Sequence, residues 1–254
     1  MVSLLPAATD ILLALGARAL LVARTEADRQ PELADLPSVG MVLAPSLEAL
    51  AAARADLVVA WWGADLAAVR RVVARGGGHV HTPRLDRLAD IAPAMRELGG
   101  LLHRGREADS VVAALEQALA EVGASVADRP RPRLLWVVSA EPLVAAGPET
   151  YIGDLLEVAG GRNALSDLDV DDAAWPPLAL EAVLALAPDV LVWPTGPGMF
   201  PAEQLAARPG WSSLEAVRSG RVLVVDPDLH HVPGPRAAEA ARSLARRLEE
   251  LRLP

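Results

Sequence analysis

Lysine and cysteine are both absent from this chain of 254 residues. Without cysteine there is no disulfide, no thiolate metal ligand and no sulfur nucleophile, and the redox state of its compartment is left undetermined. All 24 basic residues are Arg, set against 33 acidic ones. The net charge of −9 disfavours a nucleic-acid partner, because phosphate binding calls for a basic surface. Aromatics are scarce too: six Trp, one Tyr and one Phe. The interior must therefore be built mainly from Ala, Leu and Val, which makes each aromatic informative. No apolar run is long and clean enough to span a membrane. The chain starts without a basic segment ahead of an apolar core, and Val2-Ser3-Leu4-Leu5 reads as a strand. A cytoplasmic protein and an exported one that has lost its leader both stay open.

Sequence signatures of catalysis are missing as well. There is no GxGxxG, no GxxxxGK[ST], no GxSxG and no HExxH, so an enzyme is the least supported class. Gly76-Gly77-Gly78 falls between a helical and a strand-like stretch and reads as a connector.

What is present is an alternation of short β-like runs with helical patterns. Strands are expected at Val2–Leu5, Leu20–Ala23, Leu57–Trp61, His79–His81, Leu134–Val138, Val190–Trp193 and Val222–Val225. Helices are expected at Thr9–Leu15, Leu47–Ala53, Leu66–Ala74, Leu180–Leu186 and Leu214–Arg218. Apolar strands alternating with helices imply α/β architecture with parallel sheets covered on both faces. One stretch breaks the rhythm. From Gly105 to Val126 apolar residues recur at helical spacing with no strand among them, and Asp128-Arg129-Pro130-Arg131-Pro132 ends the run. This predicts a single long helix, residues 104–126, between an N-terminal lobe of residues 1–103 and a C-terminal lobe of residues 127–254.

The two lobes read as copies. EALAAARADLVVAWWG (residues 48–63) and EAVLALAPDVLVWPTG (181–196) match at a constant spacing, pairing Glu48 with Glu181, Asp56 with Asp189 and Gly63 with Gly196. Asp10–Gly16 parallels Asp154–Gly160, and Arg70–His81 parallels Leu214–Asp226, in the same order. Three ordered matches favour duplication.

Ligands of parallel α/β sheets sit beyond the carboxyl ends of the strands. The strand-end loops expected here contain Trp61, Trp62, Tyr151, Trp175 and Phe200, five of the eight aromatics. They suggest a pocket for a large, partly apolar, planar ligand, with core packing as the alternative for any one of them. His79 and His81 share one face of a strand, His230 and His231 adjoin in a Pro-rich loop, and His103 falls on a polar helix face; nothing in their spacing demands a metal. Asp169, Asp171 and Asp172 lack a calcium-loop pattern. Glu48 and Glu181 each open the equivalent helix of their lobe. Stabilisation by the helix dipole and a pair of acidic knobs for a two-fold partner are equally supported.

The chain resembles the cobalamin (vitamin B12)-binding proteins of the class III, helical-backbone group of ABC-importer solute-binding proteins. The resemblance runs over nearly the whole length: Ser3-Leu4-Leu5-Pro6-Ala7-Ala8-Thr9-Asp10, Ser46-Leu47-Glu48, Ala55–Trp61, Asp154–Asn163, Trp175-Pro176 and Pro233-Gly234-Pro235-Arg236. It implies two Rossmann-like lobes joined by one long helix, with the ligand cleft between them. It implies that Glu48 and Glu181 dock onto arginines of a dimeric permease. It further implies that Pro6, Ala7, Ala8, Trp61, Trp175 and Asp228 contact a corrinoid, with His231 as another polar contact. Val42 and Val144 stand where cobalamin-binding members carry aromatics, and a Tyr is missing near Glu26. Expected, then, is a non-enzymatic, monomeric, extracytoplasmic binding protein for cobalamin or a related corrinoid. Haem or a ferric siderophore on the same fold, or a cytoplasmic corrinoid binder, are the alternatives.

Overall fold

A computed structural model describes residues 1–167, 174–196 and 198–251. The chain divides into two compact units, one of residues 1–85 and 89–114, the other of residues 86–88 and 115–254.

The first unit is a small parallel sheet with helices. It contains β1 (Val2–Ser3), α1 (Pro6–Ala14), α2 (Leu47–Ala53), β2 (Leu57–Val59), α3 (Ala67–Arg75), β3 (His79–His81), α4 (Ile91–Leu101) and the first half of α5 (Gly105–Val126). The sheet order is β1-β2-β3, all parallel, with Val2 paired to Val58 and Val59 to His81. Parallel bridges Val2–Ala23 and Arg24–Ser38 extend it on the β1 side. The expected strand at Leu20–Ala23 shrinks to that one bridge; a 3-10 turn occupies Arg18–Leu20, and Leu20 and Val22 are exposed. Val2, Leu4, Val39, Leu50, Val58, Val69 and Val73 close the core. The triglycine between α3 and β3 is a packing device. Gly77 has φ +81°, and a Cβ on Gly78 would lie 2.3 Å from the Ala55 carbonyl oxygen.

The second unit holds β4 (Arg133–Ala140), β5 (Leu143–Ala145), α6 (Tyr151–Val158), β6 (Arg162–Asn163), α7 (Leu180–Leu186), β7 (Val190–Pro194), α8 (Glu215–Arg218), β8 (Val222–Val225), α9 (Pro227–His230) and α10 (Ala237–Glu250). Its sheet runs β5-β4-β7-β8, with β6 also on β4; β5 alone is antiparallel. Leu135, Leu191 and Trp193 lie at its centre, and Trp193, Phe200 and Trp211 pack with ring centroids 4.8–6.4 Å apart. Phe200, expected on a pocket loop, is part of this aromatic cluster, and the Arg208 guanidinium stacks 3.5 Å from its ring centroid. The residues 86–88 belong here because Asp154 holds them. Its carboxylate takes Nε and Nη2 of Arg87 at 2.8 and 2.6 Å and the Leu88 N–H at 2.9 Å. A bidentate, charge-assisted pair of this kind is among the stronger hydrogen bonds available.

The repeat read in the sequence is visible in the backbone. α2 and α7 are both seven residues long and begin Leu-Glu-Ala. Each ends on a non-glycine residue in the left-handed region, Arg54 at φ 44° and Ala187 at φ 43°. Each then passes through Asp56 or Asp189 into the buried strand β2 or β7. At a non-glycine residue the left-handed conformation costs about 1–2 kcal/mol, which the packing of each helix end must offset.

Candidate ligand-binding residues at the strand ends

All strands of the first unit run parallel, so the segments after β1, Ala23, Ser38 and β2 leave from one edge of the sheet. The segment after β1 is a helix rather than the expected loop. Pro6 occupies the first position of α1, Ala7 and Ala8 are buried within its first turn, and no side chain caps it. What this turn can offer a ligand is the backbone N–H of Ala7 and Ala8 at a helix start, together with the half-buried ring of Pro6, which has no N–H. After Ala23, Asp28 is almost completely buried and its Oδ2 takes both the N–H and the hydroxyl of Thr25, at 2.8 and 2.7 Å. Gln30 Nε2 reaches Asp10 of α1 at 2.6 Å. These bonds add to the backbone contacts of the loop, in which the Glu26 N–H reaches the Gly40 carbonyl oxygen at 3.0 Å.

The aromatic part of this edge follows β2. Trp61 and Trp62 are 39% and 43% exposed, arranged edge to face with centroids 6.4 Å apart. Gly63 lets the Trp61 ring lie close to the backbone, since a Cβ there would stand 2.7 Å from the ring and the indole would have to shift. The Arg84 guanidinium lies 4.2 Å from a Trp62 ring centroid, a cation–π contact that holds the indole. Met41 and Leu43, 59% and 68% exposed, project from the turn closed by the Gly40–Pro45 bridge. Sequence reasoning passed over both; the signal was two large apolar residues in a turn flanked by Gly40 and Pro45.

In the second unit the segment after β8 turns at once into α9. Asp226 caps it by accepting the Asp228 N–H at 2.9 Å, and the Asp228 side chain is exposed. His230 is buried on this helix rather than in a loop; its Nδ1 meets the Asp226 carbonyl oxygen at 2.9 Å, and burial lowers its pKa. His231 follows, its Nε2 accepting the Trp136 indole N–H at 3.0 Å. Burial first, then the neighbouring His230, pushes its pKa down to about 4. Trp175 is 48% exposed, in a segment paired to the β5 edge through Val144–Pro177.

Tyr151 is a correction. It opens α6 behind the Thr150 cap instead of lying in a loop, is 3% exposed, and burial raises its pKa. It has no surface to give a ligand. His103 is another: it sits at φ 55° between α4 and α5, not on a helix face. His79 and His81 stand on β3, and His81 Nε2 lies 3.4 Å from Glu97 Oε1. Among the described residues no group of three or more His, Asp or Glu is close enough to hold a metal. Asp169, Asp171 and Asp172 lie outside the described residues. No described helix is long and apolar enough to cross a membrane.

Glu48 and Glu181 occupy the second position of α2 and α7, both exposed. Ser46 caps α2 through its hydroxyl, accepting the Ala49 N–H at 3.2 Å, while α7 has Ala179 there and no side-chain cap.

Residues 1–229 match the model of a family described as periplasmic binding protein. The chain belongs to that family. The substrate-binding lipoprotein YvrC of an uncharacterised Bacillus subtilis ABC transporter is 27% identical over 96% of this chain and 78% of its own. The vitamin B12-binding protein of Salmonella typhimurium is 25% identical over 98% of this chain and 90% of its own. Among solved structures, a periplasmic heme-binding protein from Pseudomonas aeruginosa superimposes with a TM-score of 0.84 at 26% identity, covering 97% of this chain and 91% of the other. The resemblance to class III solute-binding proteins of ABC importers therefore holds for the family. The α/β class with parallel sheets in two units holds for the fold.

Proposed function

We propose that this protein captures cobalamin or a related corrinoid without covalent bonding and delivers it to the dimeric permease of an ABC importer, outside the cytoplasm and as a monomer. One observation carries the proposal. In a chain with eight aromatics, three indoles (Trp61, Trp62 and Trp175) keep 39–48% of their surface exposed, apolar area that a ligand would cover. A fourth contact, Asp228, is an exposed carboxylate at the carboxyl edge of the second sheet, suited to accept from an amide N–H of a corrin side chain. Ala7 and Ala8 contribute backbone N–H groups, Pro6 its ring, and His231 a polar contact. The curated relatives that bind vitamin B12 support the same reading.

A second reading, haem in place of a corrinoid, is favoured by the heme-binding structure at 26% identity and by the apolar Met41 and Leu43 beside the indoles. Both ligands are large, planar and tetrapyrrolic. Isothermal titration with cyanocobalamin, haemin and a ferric siderophore separates them. Submicromolar binding of the corrinoid alone is the expected result; binding of haemin alone transfers the assignment to haem.

Delivery calls for contacts on the protein itself. Glu48 and Glu181, set at the same helical position in both repeats, each offer an exposed carboxylate to an arginine of a two-fold permease. Reversing both, Glu48→Arg with Glu181→Arg, should abolish ligand-dependent stimulation of the permease and leave ligand affinity unchanged. Normal transport by the double variant would refute the docking role.

A further inference from the structure

Trp136 lies in the middle of β4 with no exposed surface, and an indole N–H can only donate. Its acceptor is His231 Nε2 at 3.0 Å, with the rings 5.8 Å apart. That bond exists only while Nε2 carries a lone pair. A neutral His231 must then hold its proton on Nδ1, which has no partner among the described residues. The ring is held neutral as well: burial and the adjacent His230 push its pKa down to about 4. The tautomer is thus set by the chemistry of a buried neighbour rather than left to solvent.

We infer that Trp136 is a positioning residue that fixes His231 as an Nδ1–H donor toward the bound ligand and withholds it from metal coordination. Ligation of a metal needs a free lone pair on a neutral ring nitrogen. The Nε2 lone pair is already engaged, and Nδ1 carries the proton. Coordination through Nε2 would orphan the buried Trp136 donor, and coordination through Nδ1 would drive the proton onto Nε2, against the indole N–H. Either way a buried donor is left unsatisfied. The group that fits is an acceptor on the ligand's rim, an amide carbonyl or a carboxylate of a tetrapyrrole side chain. This rests on His231 being a ligand contact, as proposed above. Specificity at this position would then follow the rim of the macrocycle and not its metal.

Long-range nitrogen–proton NMR of histidine-labelled, ligand-free protein at neutral pH reads the tautomer directly. The expected spectrum shows His231 protonated at Nδ1 and unprotonated at Nε2, with that preference lost in Trp136→Phe. A proton on Nε2 in the unsubstituted protein overturns the inference. Should Trp136→Phe fail to fold, titration of His231→Ala with haemin and with cyanocobalamin supplies the second test. The expected outcome is unchanged haem absorption bands with affinity for both lowered roughly three- to tenfold, the size of one lost hydrogen bond. A Soret or low-spin band that disappears in His231→Ala shows axial ligation and overturns it. If the unsubstituted protein binds neither compound, the tetrapyrrole reading falls together with the ligand-facing role of Nδ1. The NMR result still decides whether Trp136 sets the tautomer.

Discussion

The two repeats keep one frame and put it to different uses. Helix, left-handed cap, Asp and buried strand recur as α2–β2 and α7–β7, down to φ 44° at Arg54 and 43° at Ala187. Beyond the strands they diverge. β2 leads into Trp61 and Trp62, both exposed, whereas β7 keeps its indole, Trp193, 1% exposed and one position before the equivalent of Trp61. Trp193 donates its N–H to the Phe200 carbonyl oxygen at 2.9 Å and packs on Trp211. The same residue type, a position apart in the repeat, serves the surface in one unit and the core in the other. The strand and its cap are alike in the two units, because those hold each sheet together. The residues after the strand are free to change.

The largest effect should come from exchanging these roles. Trp193→Ala should destabilise the protein by about 3–5 kcal/mol, because a buried indole leaves both lost burial and a cavity. Trp61→Ala, at a half-exposed position, should cost distinctly less, about 1 kcal/mol. Urea unfolding of the two variants measures the difference directly; equal losses would mean that Trp61 is a structural residue and the contrast between the repeats is false.

Much of the frame was legible in the sequence. The bounds of α2 and α7 were read correctly because a Leu/Ala face stops at an Asp-containing turn and a Val/Leu run follows. The last turn of α4 was hidden by Gly99-Gly100, and its start by Pro93, which a first helical turn tolerates. The candidate site was less legible. Trp175 is half-exposed beside β5, whereas Tyr151 opens a capped helix and is buried, because its core contacts come from segments distant in sequence. The Trp136–His231 bond joins residues 95 positions apart, and no local pattern announces it. Strand periodicity placed Trp136 in β4 but could not say what its N–H would meet.

A second contrast lies in acid. The carboxyl edge of the second unit buries His230 and His231 next to Trp136, whereas His79 of the first unit is exposed on β3. His231 has a folded pKa near 4 against an unfolded value of 6.5. The unfolded chain therefore binds its proton more readily, so stability is intact above pH 6.5 and falls as the pH drops from 6.5 towards 4. The loss from this residue should be on the order of 2–3 kcal/mol, and His230, shifted in the same direction, adds to it. Urea midpoints at pH 7 and pH 5 check this. His231→Gln should flatten most of the difference, and an unchanged slope would remove His231 from the account.

The smallest effect separates the helix starts. Ser46→Ala should cost about 1 kcal/mol by deleting the α2 cap, and Ala179→Ser should stabilise by a similar or smaller amount, about 0.5–1 kcal/mol, by giving α7 the cap it lacks. Thermal unfolding of both variants would show opposite shifts; shifts of the same sign would break the equivalence of the two helices.

Trp61 and Trp175 are each proposed to contact a bound corrinoid. Titration of the unsubstituted protein, Trp61→Ala and Trp175→Ala with cyanocobalamin, followed by calorimetry, tests it most directly. Submicromolar binding is predicted for the unsubstituted chain, weakened by about 1.4–2.8 kcal/mol, or roughly 10- to 100-fold, in each variant. Binding that both variants retain undiminished would contradict it.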